Sequence, residues 1–149
     1  EDIRLVIVGE GQEKEALTEQ AAKLGISDRI EFRGYVEGEA LRELYSASDI
    51  FILPTREDCF GLVILEAMCA SLPVVSSKYA DGAADLIEED GNGKIVDPED
   101  ADAFAGVIEE LFSDEERLAR MGKRSYEKAQ EFAFDRVAEG CVEALEYIL

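Results

Sequence analysis

Residues 48–76 read Ser48-Asp-Ile-Phe-Ile-Leu-Pro-Thr-Arg-Glu-Asp-Cys-Phe-Gly-Leu-Val-Ile-Leu-Glu-Ala-Met-Cys-Ala-Ser-Leu-Pro-Val-Val-Ser76, a succession of strand, acidic loop, apolar helix and strand. Asp49 to Leu53 is a short apolar run closed by Pro54, the pattern of a buried strand. From Gly61 to Ala70, Leu62, Val63, Ile64, Leu65, Ala67 and Met68 fall on nearly every side of a helix, which predicts a helix buried all round. Leu72 to Ser76 gives the next strand, with Pro73 at its first position, where a missing N–H is tolerated. The helix carries one charge, Glu66. A lone carboxylate is costly to bury unless something satisfies it. It either pairs with a structural cation or lies at a wet edge, or it hydrogen-bonds a ligand. Gly61, Leu62 and Val63 open the helix with N–H groups that have no intrahelical partner, and with the helix dipole they form an anion site. Asp58 precedes them, and Glu66 lies about 7 Å further along the axis at 1.5 Å per residue. A small molecule with a phosphate in its middle and hydroxyls at both ends reaches all three.

Outward from this stretch, strands alternate with helices. Arg4 to Val8 is a β-branched run ended by Gly9-Glu-Gly11. Leu17, Ala21 and Leu24 follow at helical spacing, and Gly25 is a natural helix stop. The Gly-x-Gly pair is not a dinucleotide fingerprint, because Lys14 holds the place of its third glycine. Arg29 to Arg33 reads as a strand, Gly34-Tyr35-Val36 as its loop, and Leu41, Leu44 and Tyr45 as a short helix. After Ser76 comes a loop with Lys78 and Asp81, where a lone Lys is ordinarily solvated. A turn at Glu88–Gly93, a strand at Lys94–Val96 and a helix with Phe104, Val107, Ile108 and Leu111 follow. Ser113-Asp-Glu-Glu116 has the form of a capping box for another helix. A last helix from Asp135 carries Val137, Cys141, Leu145 and Ile148 as one stripe, ordinarily core. The alternation predicts an α/β fold, a Rossmann-like parallel sheet with helices on both faces. Ligands bind such sheets beyond the carboxyl ends of the strands. The Gly9 turn and the Tyr35, Asp58 and Asp81 loops all belong at that end.

The 149 residues suffice for one domain with a sizeable core. With 15 basic and 35 acidic residues the net charge is −20. That balance excludes a nucleic-acid partner, which needs a basic face, and membrane contact through this segment on an anionic surface. The absence of histidine excludes His-based acid/base chemistry within the chain. The three cysteines have no metal-ligand spacing, no metal is implied, and an odd number without a pairing framework fits a reducing, cytoplasmic setting. No apolar run has the length of a membrane span. The chain begins at Glu1 rather than Met, which suggests a piece of a longer protein.

The pattern Asp58-x-Phe60-Gly61-Leu62-Val63-x-x-Glu66-Ala67, after an apolar strand ending in Pro-Thr, resembles the retaining glycosyltransferases of family four (glycosyl transferases group 1), which have the GT-B fold. The Asn92-Gly-x-x-Val-x-Pro-x-Asp100 segment is similar to the same family's, and the likeness runs from about Arg4 to about Asp135. The family's motif holds two acids separated by seven residues. Asp58 and Glu66 have that spacing, although the family normally has Glu first and Glu57 stands one residue out of register, so either acid can take the first role. The resemblance implies that residues 1–149 are a single donor-binding domain lacking the N-terminal acceptor domain, and inactive alone. Its substrate would be a UDP- or GDP-linked sugar, with no separate cofactor and no metal. Glu66 would bind the ribose hydroxyls, the amides of Gly61, Leu62 and Val63 the diphosphate, and Asp58 the donor sugar. The Gly9–Gly11 turn would approach the donor, and Gly34, Tyr35 and Val36 the nucleobase. The segment Asp81-Gly-Ala-Ala-Asp85 departs from the family's paired glycines and Glu. The last helix would cross back toward the absent domain, and any inner-membrane association would run through that domain. Two other classes remain open here: a nucleotide-sugar epimerase of the same architecture, and a non-catalytic nucleotide-binding module. A receiver domain fits poorly, because Asp49 sits at the wrong end of its strand.

Overall fold

The computed structural model describes residues 3–148. In chain order the elements are β1 (Leu5–Val8), α1 (Lys14–Leu24), β2 (Ile30–Gly34), α2 (Gly38–Ser46), β3 (Phe51–Leu53), α3 (Leu62–Cys69), β4 (Val74–Ser77), α4 (Ala83–Leu86), β5 (Gly93–Val96), α5 (Ala101–Phe112), α6 (Glu115–Ala129) and α7 (Phe134–Ile148). Every strand pairing is parallel, as the alternation predicts. The chain divides into two compact units, Glu1–Leu44 and Tyr45–Leu149.

In the first unit β1 pairs with β2, Leu5 opposite Ile30 and Ile7 opposite Phe32. The register slips between Ile7 and Val8, so that Val8 faces Gly34. The Gly9 amide donates to the Gly34 carbonyl at 2.7 Å, which ties together the loops that leave the two strands. Helix α1 ends at Gly25, which takes the left-handed conformation (φ 69°) while the Gly25 and Ile26 amides donate back to Ala22 and Ala21. The expected glycine stop is therefore the actual one.

In the second unit the strand order is β3-β4-β5. Successive residues of each strand enter opposite cores. Phe51, Leu53, Val74 and Ile95 pack with Ile64, Met68 and Leu86 of α3 and α4. Ile52, Val75 and Val96 pack with Phe104, Leu111 and Met121 of α5 and α6. A strand covered on both faces is apolar at successive rather than alternate positions, which is why Phe51–Leu53 and Val74–Val75 read as continuous runs, whereas β4 ends in the buried Ser76 and Ser77. Buried Asn92 closes the turn before β5: its amide donates to the Leu86 carbonyl at 3.0 Å, and its oxygen accepts the Glu88 amide at 2.7 Å.

Three sequence expectations need correction. Helix α3 is not buried all round: Ile64, Ala67 and Met68 are buried, whereas Leu62, Glu66 and Cys69 are exposed. Helix α6 is capped by Asp114, whose Oδ1 accepts the Arg117 amide at 2.8 Å. Ser113 instead closes α5, its hydroxyl donating to the Glu110 carbonyl at 2.7 Å. In α7 the described part of the stripe is exposed: Val137 and Leu145 are more than half accessible, as is Phe134 at the helix start, and Cys141 is exposed too, while the side chain of Ile148 lies outside the described residues. Periodicity identifies an apolar face but does not supply the surface that covers it.

Helix α6 is also fastened to the turn before β5 by charge. Arg124 donates Nε and Nη2 to the two Glu88 oxygens, each at 2.7 Å. Those bonds hold the Glu88 carboxyl below its usual range. The folded state thus binds fewer protons there than the unfolded chain. The pair's contribution is complete above the ordinary glutamate range and disappears as pH falls through the lowered value. Arg124→Met should lower Tm at pH 7, and the gap from the unsubstituted chain should close below about pH 4. Thermal melts at both pH values check this, and a pH-independent gap would assign the loss to packing.

Candidate functional site

The candidate site of the second unit lies where β3 and β4 end. The loop after β3 is fixed by one residue, Asp58. Its amide donates to the Tyr79 carbonyl at 3.1 Å, and its carbonyl accepts the Asp81 amide at 3.0 Å, so the loop after β3 pairs with the loop after β4. Its side-chain Oδ1 accepts the amides of Phe60 at 3.0 Å and Gly61 at 2.5 Å. This carboxylate therefore shapes the approach to α3, and of the three N–H groups expected for an anion, that of Gly61 is already engaged. Gly61 itself has φ 76°, in the left-handed region, and a side chain there would meet Ile64 Cδ1 at 3.0 Å. The Ile64 amide donates to the Gly61 carbonyl at 2.8 Å. Among the described residues, the Leu62 and Val63 amides have no protein acceptor. They are unpaired donors at the positive end of the helix dipole.

Leu62, Glu66 and Cys69, spaced by four and three residues, form the exposed face of α3. Glu66 forms no ion pair with the described residues. The structural-cation alternative thus finds no support, and Glu66 lies at the wet edge. Its Oε2 accepts the Tyr45 hydroxyl at 3.1 Å. Tyr45 is half-buried, its ring 5.9 Å from that of Phe51 and tilted by 55°. Burial foremost, then the charge of Glu66 and the hydrogen bond to it, push the Tyr45 phenol far above its usual range. It stays a donor. The same two influences, burial first, raise the Cys69 thiol, so it stays protonated near neutrality. Sequence reading placed Tyr45 in a helix but missed its bond to Glu66. The two residues lie 21 positions apart, and no local pattern links them.

Glu57 is exposed, and Thr55 brackets its backbone, donating to the Glu57 carbonyl at 2.8 Å and accepting the Glu57 amide at 3.3 Å. Lys78 is exposed, as expected, but not alone: it pairs with Asp97 and lies 4.9 Å from the Tyr79 ring centroid. In the first unit, Gly9 and Gly34 are joined by their backbone bond, and the Gly11 carbonyl accepts the Lys14 amide at 3.4 Å at the entry to α1. Tyr35 is 71% exposed and its hydroxyl donates to Glu37 at 2.7 Å, while Val36 is half-buried. Among the described residues no cluster of acidic and cysteine side chains could hold a metal ion, and no helix is long and apolar enough to cross a membrane.

A parallel α/β fold with helices on both faces is the architecture of GT-B glycosyltransferase domains. Residues 1–128 match the family described as glycosyl transferases group 1, and the chain belongs to that family. It is 33% identical over 143 residues to an uncharacterized glycosyltransferase of Methanocaldococcus jannaschii, a match covering 93% of this chain and 36% of that protein. It is 33% identical over 147 residues to the D-inositol 3-phosphate glycosyltransferase of Nocardia farcinica, covering 95% and 32%. The chain thus spans about a third of the length of these curated relatives. Among solved structures, sucrose-phosphate synthase of Thermosynechococcus elongatus superposes with a TM-score of 0.85 at 26% identity, covering 97% of this chain and 38% of that one. HepE of Anabaena in complex with UDP-glucose gives 0.80 at 28%, covering 97% and 41%.

The two site loops touch closely at Gly82, where a Cβ would lie 2.2 Å from the Phe60 carbonyl oxygen. A backbone atom cannot rotate aside as a side chain can. Gly82→Ala should cost roughly 1–3 kcal/mol of stability, the usual cost of overpacking. Denaturant titration checks this, and an unchanged midpoint would show that the loops part freely.

Proposed function

We propose that residues 1–149 are the donor-binding domain of a retaining glycosyltransferase, which moves a hexose from a UDP- or GDP-linked sugar to an acceptor held elsewhere in the full-length protein. The observation that carries this reading is the pair of unpartnered amides at Leu62 and Val63 with Glu66, exposed and free of any cation among the described residues, one turn further along the same helix. The amides take the diphosphate and stabilise the charge that grows on it as the sugar leaves. Glu66 accepts the paired ribose hydroxyls, to which an ionised carboxylate bonds strongly. Asp58 Oδ1 is committed to the loop, so Oδ2 is the atom available to a hydroxyl of the donor sugar. Asp58 is no nucleophile: the leaving group is the diphosphate itself, and the paired-carboxylate logic of glycosidases does not apply.

Support comes from the family and from HepE, whose solved complexes contain UDP and UDP-glucose. Retention rests on the family motif carried by Asp58 and Glu66. A cytoplasmic setting, read from the three free cysteines, is part of the same proposal. The reaction needs no metal in this scheme, because oriented amides do the electrostatic work.

Titration of the chain with UDP, GDP and UDP-glucose, followed by thermal shift, tests the reading. A nucleoside diphosphate should raise Tm, and Glu66→Ala should weaken its binding about tenfold or more, the loss expected for hydrogen bonds to a charged group. An unchanged response in the variant would remove Glu66 from the site. The chain alone should release no nucleotide from a sugar nucleotide, and transfer by these 149 residues would contradict the assignment of the acceptor site elsewhere.

A further inference from the structure

Glu66 stands on the exposed face of α3, and a glutamate in such a place ordinarily samples several rotamers. Here its Oε2 accepts a hydrogen bond from Tyr45, 3.1 Å away. Tyr45 is an unusual anchor for an exposed acid. It is half-buried, and its ring is set against Phe51 of the adjoining strand. A tyrosine has two side-chain dihedrals before its hydroxyl, so seating the ring also fixes the position of the hydroxyl oxygen. We propose that Tyr45 is a positioning residue, which holds the Glu66 carboxylate in the orientation that receives the ribose hydroxyls of the nucleotide. The proposal rests on the role given to Glu66 above.

The stoichiometry of the carboxylate permits it. An ionised carboxylate offers about four lone-pair sites. Tyr45 occupies one on Oε2, which leaves Oε1 and the rest of Oε2 for two neighbouring hydroxyls. The phenol cannot compete with the ligand for protons, because burial and the adjacent charge keep it protonated. The anchor therefore supplies a donor and leaves the acceptor capacity facing outward. Without it, binding would have to restrict a mobile side chain, and that cost falls on the affinity for the ribose alone.

The test separates positioning from folding. Binding of a nucleoside diphosphate (UDP or GDP, whichever the chain binds more tightly) is compared with binding of its 2′,3′-dideoxy analogue. The proteins compared are the unsubstituted chain, Tyr45→Phe, Glu66→Ala and the double variant. Phenylalanine keeps the ring and removes the hydroxyl. The expected result is that Tyr45→Phe weakens the ribonucleotide by roughly fivefold, the order of one ordinary net hydrogen bond. It should leave the dideoxy analogue unchanged and add nothing in the Glu66→Ala background. An equal loss for both ligands would assign Tyr45 a structural role and overturn the proposal. So would an unchanged preference in Tyr45→Phe with the preference lost in Glu66→Ala, and that outcome would leave the role of Glu66 intact. If the unsubstituted chain shows no preference for the ribose, or binds neither nucleotide, the reading of Glu66 fails and this inference fails with it. A Tyr45→Phe protein that loses its far-UV circular dichroism would likewise count against it, since the hydroxyl would then be holding the fold.

Discussion

Asp58 makes backbone hydrogen bonds to two residues of the following loop and gives one side-chain oxygen to two amides of its own loop. The site geometry of the second unit depends on this set of bonds. It joins the ends of β3 and β4, sets the turn at Gly61, and so decides where α3 begins. The carboxylate binds the two amides just ahead of the helix and leaves α3 itself without a side-chain cap. Because the Gly61 amide is consumed in this way, the open donors shift to Leu62 and Val63. The proposed anion site is thus a by-product of how the loop is tied.

That placement addresses the electrostatic difficulty of the chain. A protein of net charge −20 repels a diphosphate at long range. Several of its cations are already committed to carboxylates: Lys78 to Asp97, Arg117 to Glu110 and Asp90, Arg124 to Glu88 and Glu127, and Lys128 to Glu88 and Glu131. Oriented backbone amides are donors that need no counter-charge. They also require no side-chain reorganisation while charge develops on a leaving group.

Much of the architecture was legible from punctuation and composition. Gly25 ends a helix where its position predicts, and the apolar runs around Ile52 and Val75 are covered on both faces as continuous runs should be. The second face of α3 was not legible. Leu62 and Cys69 are as apolar as Ile64 and Met68, and composition cannot tell which side neighbours will cover. The same holds for the α7 stripe. The partners of Lys78 and Tyr45 were missed for a common reason, Asp97 and Glu66 lying 19 and 21 positions away, whereas Ser113 was misread because it sits between two helices and closes the first rather than opening the second. The motif spacing found Asp58 and Glu66, but only the folded loop shows one committed inward and the other presented to solvent.

The central claim is that the first free amides of α3 are a diphosphate site. Backbone ¹H–¹⁵N spectra recorded while UDP or GDP is added read those amides directly. The account predicts that Leu62 and Val63 move most in this loop-helix segment, while Phe60 and Gly61, held by Asp58, move less. Saturable binding with both resonances unmoved would place the diphosphate elsewhere and contradict it.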